Sequence, residues 1–318
     1  MRSLKILFAF LFIGSFVACE KGLLDEEEEK KSSSGASTTI KGNLELNIIQ
    51  LEKVSFQTIT KASTEEFPTH LCFAIYDMSG TRIKQLNQQL LPASLALSGS
   101  PAVYGSDANL GSMADLGHAS FNLEKGTYQI VALAHSSTKN PTMTNLAKVQ
   151  FNNSIGYTDT YLYYTALTVT DEPLSLDLTL DRICALCRFV ISDSIPDGVS
   201  QVKFQYKGGS GHFSALTGLG VTNSTQVVTR QVQPGQQYLV FDLYTFLHQQ
   251  EGLIELTATA LTASGEEYCA WEFTIPMRKN QITWLTGNFF SKESSGQWRV
   301  FPNIALDKTW AREVFFTY

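Results

Sequence analysis

Apolar and polar residues alternate with a period of two along most of this sequence, and this alternation constrains the fold more than any other feature. Between residues 174 and 180, Leu occupies every even position, and Ser, Asp and Thr occupy the odd ones. Residues 202–207 and 254–260 repeat the pattern, and residues 71–76 are interpreted in the same way. A period of two is typical of strands that bury one face. The sequence therefore predicts an all-β chain of half-buried strands, with a short helix at residues 241–250 as the one exception.

The length of 318 residues predicts two domains, at about 150 residues each. Short strands separated by polar turns are typical of β-sandwiches. We place the N-terminal sandwich at residues 41–181 and the C-terminal sandwich at residues 182–318, because one strand run ends and another begins near residue 181. Residues 87–117 are rich in Ser, Ala, Gly and Leu and are interpreted as a long excursion from the sheet.

The N-terminus predicts an exported lipoprotein. Arg2 and Lys5 precede an almost wholly apolar run at residues 6–18, which is too short for a membrane span and fits a secretory signal peptide. The run ends in small residues before Cys19, as in the bacterial lipobox. We therefore expect residues 1–18 to be a signal peptide, cleavage between Ala18 and Cys19, and lipidation of Cys19, for example by palmitate. The alternative is an ordinary signal peptide followed by an incidental cysteine.

Residues 19–40 are predicted to be a flexible tether. They contain an acidic run at residues 25–29 and a Ser/Gly run at residues 32–35, a composition typical of solvated linkers. Acidic residues after a lipidated cysteine also resemble the surface-export signal of Bacteroidetes lipoproteins. The expected location is the outer membrane, lipid-anchored and facing the cell surface.

Enzymatic chemistry finds no support in the sequence. The net charge of −6 gives no basic field for nucleic acid, so we expect no nucleic-acid partner. The five histidines show no metal-ligand spacing, and each is interpreted as a surface or strand-end residue. We therefore expect no enzymatic activity, no cofactor, and no catalytic, cofactor-binding or metal-binding residues.

Four cysteines remain besides Cys19, and their disulfide state stays open because Cys72, Cys184, Cys187 and Cys269 allow three pairings. Cys184 and Cys187 have CxxC spacing inside a segment that is interpreted as a strand. Residues three apart on a strand face opposite sides, so we expect a buried strand here and not a metal or redox site.

The last twenty residues place most of their large apolar side chains at even positions. We interpret Val314, Phe316 and Tyr318 as a candidate donor strand, able to complete the sheet of another subunit. The alternative is that they form the last strand of the C-terminal sandwich.

Four segments carry a resemblance to a known family: LDRICALCRFVISDSIP at 180–196, GHFSALTG at 211–218, LEKGTYQIVA at 123–132 and NQITWLTG at 280–287. In their order and spacing the chain resembles fimbrillin-type proteins of Bacteroidales over roughly residues 40–290, and among these the FimB-type anchor subunits of type V fimbriae. The resemblance implies two transthyretin-like β-sandwiches in tandem.

The resemblance also implies a way of assembly. In that family a protease of Arg or trypsin type removes the first strand of stalk subunits, and a C-terminal strand of the neighbour fills the groove; anchor subunits keep their lipid. Here no Arg occurs between Cys19 and Thr81, and the first is Arg82. This absence favours an anchor, although a Lys-specific enzyme would find sites at Lys30, Lys31, Lys41 and Lys53.

The expected function is therefore that of an anchoring subunit of a surface fimbria, with stalk subunits and the outer membrane as partners. One alternative is a stalk or tip adhesin subunit that binds a host or bacterial surface ligand. Another is a surface glycan-binding lipoprotein, whose sugar-stacking aromatics would include Tyr161, Tyr163, Trp284 and Trp310.

Overall fold

The computed structural model describes residues 42–52, 54–55, 68–90, 103–105, 116–152, 157–291, 310 and 312–317. Ala18, Cys19 and Tyr318, which carry the predictions of cleavage, lipidation and part of the donor strand, lie outside the described residues. The described residues form strands and turns without a helix, which confirms the all-β class.

The described residues of the first half of the chain form ten strands: β1 (Leu44–Leu51), β2 (Val54–Ser55), β3 (His70–Tyr76), β4 (Arg82–Leu90), β5 (Val103–Gly105), β6 (His118–Phe121), β7 (Gly126–His135), β8 (Val149–Gln150), β9 (Thr160–Val169) and β10 (Leu174–Arg182). Those of the second half form nine: β11 (Ala185–Ile191), β12 (Val199–Gly209), β13 (His212–Phe213), β14 (Ser224–Gln231), β15 (Leu239–Thr245), β16 (Glu251–Thr262), β17 (Glu267–Arg278), β18 (Gln281–Gly287) and β19 (Arg312–Thr317).

The helix predicted at residues 241–250 is wrong, because β15 occupies residues 239–245 and pairs with β11 along its whole length. The predicted excursion at residues 87–117 begins inside β4, and β5 pairs with the end of that strand. Residues 91–102 and 106–115 of this segment lie outside the described residues.

Strands of the first half form a nine-stranded sheet in the order β2-β1-β10-β9-β7-β3-β4-β5, with β6 paired to β1. β1 runs parallel to β10, and β6 pairs antiparallel on the other side of β1. β10 and β9 pair over only two positions, Asp181↔Leu162 and Arg182↔Tyr161. Alternate residues of β1, β3, β7 and β10 meet in a hydrophobic cluster, which we call the first core; it includes Leu46, Phe73, Ile130 and Leu178.

Strands of the second half form two four-stranded sheets, β15-β11-β18-β19 and β14-β12-β16-β17. Residues from both sheets meet in the last core, which includes Phe189, Phe204, Leu256 and Leu285. A small sheet of β13 and β8 joins the two halves of the sequence, through the pairs His212↔Gln150 and Phe213↔Val149.

A third hydrophobic cluster, the middle core, draws its residues from both halves of the sequence. β3 and β7 contribute Tyr76 and Leu133, and β11 and β18 contribute Leu186 and Ile282. Residues 41–318 form one compact unit. The division into domains 41–181 and 182–318 stays a prediction.

The middle core corrects the prediction that residues 71–76 form a half-buried strand. Every residue of β3 is buried, with Phe73 in the first core and Ala74 in the middle core. β11 is divided in the same way, between the middle core and the last core. Each of these two strands therefore packs apolar side chains on both of its faces. A strand with one face in solvent needs apolar side chains on one face only.

Candidate strand-docking site

The C-terminal strand β19 lies at the edge of its sheet, parallel to β18. Its register runs from Gln281↔Arg312 to Thr286↔Thr317. Val314 and Phe316 of the predicted donor strand therefore belong to this edge strand. The structure places them beside a strand of their own chain, which is the arrangement that the sequence analysis gave as the alternative.

One residue from each of the four strands lies in a single row across this sheet. Asp242, Arg188, Trp284 and Phe315 are successive register partners. Arg188 donates two hydrogen bonds to the carboxylate of Asp242, at 2.7 and 2.8 Å. The guanidinium carbon of Arg188 lies 5.1 Å from the ring centroid of Trp284, which stacks on Phe315 at 5.6 Å. We call these four residues the cross-strand row.

Further contacts bind both faces of β19. The indole Nε1 of Trp284 donates to Glu313 Oε2 at 3.0 Å. Phe315 packs against the middle core, whereas Phe316 packs against the last core. The prediction that even positions supply the packing face is therefore incomplete, since β18 is buried on both faces and an adjoining strand touches both cores.

Trp310 lies just before this strand and is buried, with 6% of its surface exposed. Its indole ring covers the guanidinium of Arg182, at 3.9 Å from the guanidinium carbon to the ring centroid. Its ring also lies 6.5 Å from that of Tyr244. Contacts of an arginine with an aromatic face are stronger when both groups are withdrawn from water.

Arg182 itself is 2% exposed and is held by a buried carboxylate. Arg182 Nε donates to Asp159 Oδ1 at 2.7 Å, and its Nη2 donates to Asp159 Oδ2 at 2.8 Å. The hydroxyl of Tyr161 also donates to Asp159, at 2.8 Å. Burial alone lowers the pKa of the guanidinium, but the Asp159 carboxylate raises that pKa above its usual range. The arginine therefore stays charged, and its plane is fixed beneath Trp310.

The first strand, β1, lies inside the sheet of the first half, in contrast to the edge strand β19. Leu44, Leu46 and Ile48 are buried in the first core. On the other face of β1, the buried carboxylate of Glu45 contacts His118 Nε2 at 2.5 Å and accepts a hydrogen bond from Ser120 Oγ at 3.0 Å. β1 is thus an integral strand between β10 and β6.

Three of the four aromatics proposed for sugar stacking lie in the interior. Tyr161, Trp284 and Trp310 are buried, at 4%, 8% and 6% exposed, and Tyr163 is half-buried against the first core. The three buried rings cannot offer a face to a glycan, because that face is already covered by protein atoms.

The four described cysteines are free thiols. Cys184 lies in the middle core and Cys187 in the last core, so the prediction that they face opposite sides is confirmed. Burial raises the pKa of both thiols. Among the described residues, no three or more His, Cys, Asp and Glu side chains cluster in a way that could hold a metal ion.

Three histidines lie at strand ends, as the sequence analysis predicted. His70 and His212 are the first residues of β3 and β13, and His135 is the last residue of β7. All three are buried. Within the described part of the chain, no helix has the length and apolarity that crossing a membrane requires.

The sequence analysis missed Arg182, Arg188 and Phe315 as site residues. The two arginines stand alone in the apolar stretch RICALCRFV, at residues 182–190, and a lone charge in a buried strand indicates a buried partner. The partners themselves, Asp159 and Asp242, carry no local signal.

Comparison with known proteins places the chain in a family. Residues 37–316 match the family of unknown function DUF6562, and the chain belongs to this family. No curated protein matches the chain.

Several solved structures are similar at low identity. One is a proposed adhesin from Bacteroides ovatus ATCC 8483, with 16% identity, a TM-score of 0.42 and coverage of 68% of this chain and 79% of the other. The fimbrial anchor protein Mfa2 from Porphyromonas gingivalis has 12% identity, a TM-score of 0.35 and coverage of 72% and 80%. A fimbrial assembly protein from Parabacteroides distasonis ATCC 8503 has 16% identity, a TM-score of 0.33 and coverage of 74% and 89%. At TM-scores below 0.5, the function has to be inferred from the chain's own residues.

Proposed function

We propose that this protein is a structural subunit of a cell-surface fimbria, which tethers the filament to the outer membrane through lipidated Cys19. It joins the neighbouring stalk subunit by β-strand complementation. The proposal is supported by the lipobox-like N-terminus together with the fimbrillin-like segments of the sequence.

The observation that carries the proposal is the docking of β19 at a sheet edge. The strand pairs with β18 over six positions, and side chains on both of its faces enter existing cores. Backbone hydrogen bonds supply affinity in strand addition, and alternate side chains in pockets supply specificity. A strand of this kind can connect subunits without a separate binding domain.

A position at the base of the filament is supported by β1. This strand occupies the first core, and no Arg lies between Cys19 and Thr81 at which an Arg-specific protease could release it. A subunit that retains its first strand keeps that groove filled and also keeps its lipidated N-terminus.

The test replaces the lipidated cysteine in the native host. Cys19→Ala is compared with Cys269→Ala, a matched control at a half-buried thiol in β17. Cells and medium are imaged by electron microscopy with an immunoblot for this protein. We expect filaments in the medium for Cys19→Ala only. Filaments that stay attached, with the protein along them or at their tips, would instead assign it to the stalk or tip.

A further inference from the structure

We propose that the edge of β18, together with Arg182, is a sequence-selective docking site for an extended peptide segment. The segment carries the pattern Trp310-x-x-Glu313-x-Phe315-Phe316, and the site accepts it from a second copy of this chain as well as from its own. This inference rests on the proposed function and adds to it a contact between copies of this chain, with the residues that select the docked strand. It differs from the sequence prediction, which gave that role to Val314, Phe316 and Tyr318.

The cross-strand row fixes the register of the docked strand. Main-chain pairing alone would tolerate a shift by one residue, but such a shift turns every side chain to the opposite face. Phe315 would then leave Trp284, and Glu313 would lose the indole hydrogen bond and turn toward the last core. Burial of a carboxylate without a partner is unfavourable, so one register is selected.

Trp310 provides a second, independent recognition element. Its pocket is built by the guanidinium of Arg182 and the ring of Tyr244. The pocket is preorganised, because Asp159 holds Arg182 through two hydrogen bonds that do not involve the docked segment. A peptide therefore gains the stacking contact without first having to order the arginine.

The same contacts are available to a strand from another molecule. Within the described residues, the docking contacts of the segment come from residue 310 and residues 312–317. The sequence between Ser291 and Trp310 contains 18 residues. A fully extended chain of that length spans up to about 60 Å. When two copies of the chain exchange this segment, every contact within one copy is replaced by the same contact between copies. The exchange therefore changes the free energy little.

In the experiment the chain is cut before the docked segment, so that the segment stays in place but is no longer covalently attached. A specific protease site is inserted within residues 292–309 of the mature protein, the chain is cut there, and a fluorescent peptide of residues 308–318 is added. Fluorescence anisotropy measures its uptake. We expect the wild-type peptide to enter and a Trp310→Ala peptide to bind at least tenfold more weakly. A peptide with one residue deleted between Trp310 and Glu313 should be equally poor.

The proposal would be overturned if the peptide with the deleted residue bound as well as the wild-type peptide. It would also be overturned if no peptide bound. Variants of the protein test the other side of the contact: Arg182→Lys, which keeps the charge but loses the planar face, and Arg188→Ala should both weaken uptake. Arg230→Ala, an exposed arginine of β14, is the matched control and should leave it unchanged. If a protein variant fails to fold, the peptide series on the wild-type protein still decides.

Failure of this inference is distinguishable from failure of the proposed function. Sequence-independent uptake combined with filaments shed by Cys19→Ala cells would leave the anchor proposal in place and refute the docking site. Selective uptake without any filaments in the host would do the reverse.

Discussion

Arg182 and Asp159 form a buried ion pair, and at the scale of single residues this pair is where the protein is most sensitive. Each partner satisfies the other through two hydrogen bonds, away from solvent. We expect Asp159→Ala to lower the free energy of unfolding by about 3–5 kcal/mol, because it leaves an uncompensated buried guanidinium. Urea unfolding followed by circular dichroism measures the change.

The control is an exposed ion pair with a single short contact. Lys125 Nζ lies 2.6 Å from Asp171 Oδ2, with both side chains mostly in water. Lys125→Ala should cost less than about 1 kcal/mol. Equal losses for Asp159→Ala and Lys125→Ala would contradict the assignment of a buried, mutually dependent pair.

Two stacked histidines give the protein a predicted acid sensitivity. The rings of His70 and His135 lie 5.1 Å apart, and Ser137 N donates to His135 Nδ1, so that nitrogen is unprotonated. Burial, reinforced by His70, lowers the pKa of His135 to about 3, and burial also lowers the pKa of His70. Below pH 6.5 the unfolded chain takes up protons that the folded chain does not. The free energy of unfolding should therefore decrease as the pH is lowered from 6.5 toward 3. His135 contributes up to about 1.4 kcal/mol of this decrease per pH unit.

The measurement is the free energy of unfolding between pH 6.5 and pH 5, where few carboxylates titrate. His135→Gln removes the imidazole that takes up a proton on unfolding. In this variant the free energy of unfolding should change less steeply with pH, by the equivalent of up to one bound proton. An unchanged slope in that variant would show that other groups carry the acid sensitivity.

Sequence reasoning at this scale identified residue types better than their surroundings. Gly211 is an example, because a Cβ at this position would lie 1.8 Å from the hydroxyl of Tyr157. The requirement for glycine there comes from a close approach to a residue distant in sequence, which no local pattern contains. The same holds for Asp159, whose importance depends on Arg182.

At the scale of elements, alternation predicted the strands well and their partners poorly. The runs at 174–180, 202–207 and 254–260 are strands β10, β12 and β16. By contrast, the parallel pairing of β1 with β10 joins segments far apart in sequence, through Leu44↔Leu174 and the positions that follow. The helix prediction at 241–250 failed because β15 is fixed by its antiparallel pairing with β11, a tertiary contact that overrides local propensity.

The first strand should survive an Arg-specific protease in the folded protein. The first possible cut is at Arg82, which lies in β4 and pairs with Tyr76 of β3. Proteases need locally unfolded chain, so a paired strand is a poor substrate. We expect mass spectrometry of the digested native protein to find residues 19–82 still covalently joined to the chain that follows Arg82. A urea-unfolded sample is the positive control for cutting at Arg82, and release of the 19–82 fragment from the native protein would contradict an integral β1.

At the scale of the whole molecule, the middle core determines how the halves depend on each other. Phe151 from the first half packs against Phe213 and Phe246 from the second, with ring centroids 6.3 and 6.0 Å apart. All three rings are buried. The sequence indicated two sandwiches, but it could not indicate this shared core, because each half supplies only part of an apolar surface whose complement lies in the other half.

A shared core predicts cooperative unfolding of residues 41–318 rather than two separate transitions. We expect one calorimetric transition, with a calorimetric enthalpy close to the van't Hoff enthalpy. Phe73→Ala in the first core and Phe204→Ala in the last core should each lower the midpoint of that same transition, since each loses about 3–5 kcal/mol of packing. If the halves were independent, each substitution would move only one of two transitions and leave the other in place. Differential scanning calorimetry of the two variants beside the wild type therefore distinguishes a molecule stabilised through its middle core from a pair of linked domains.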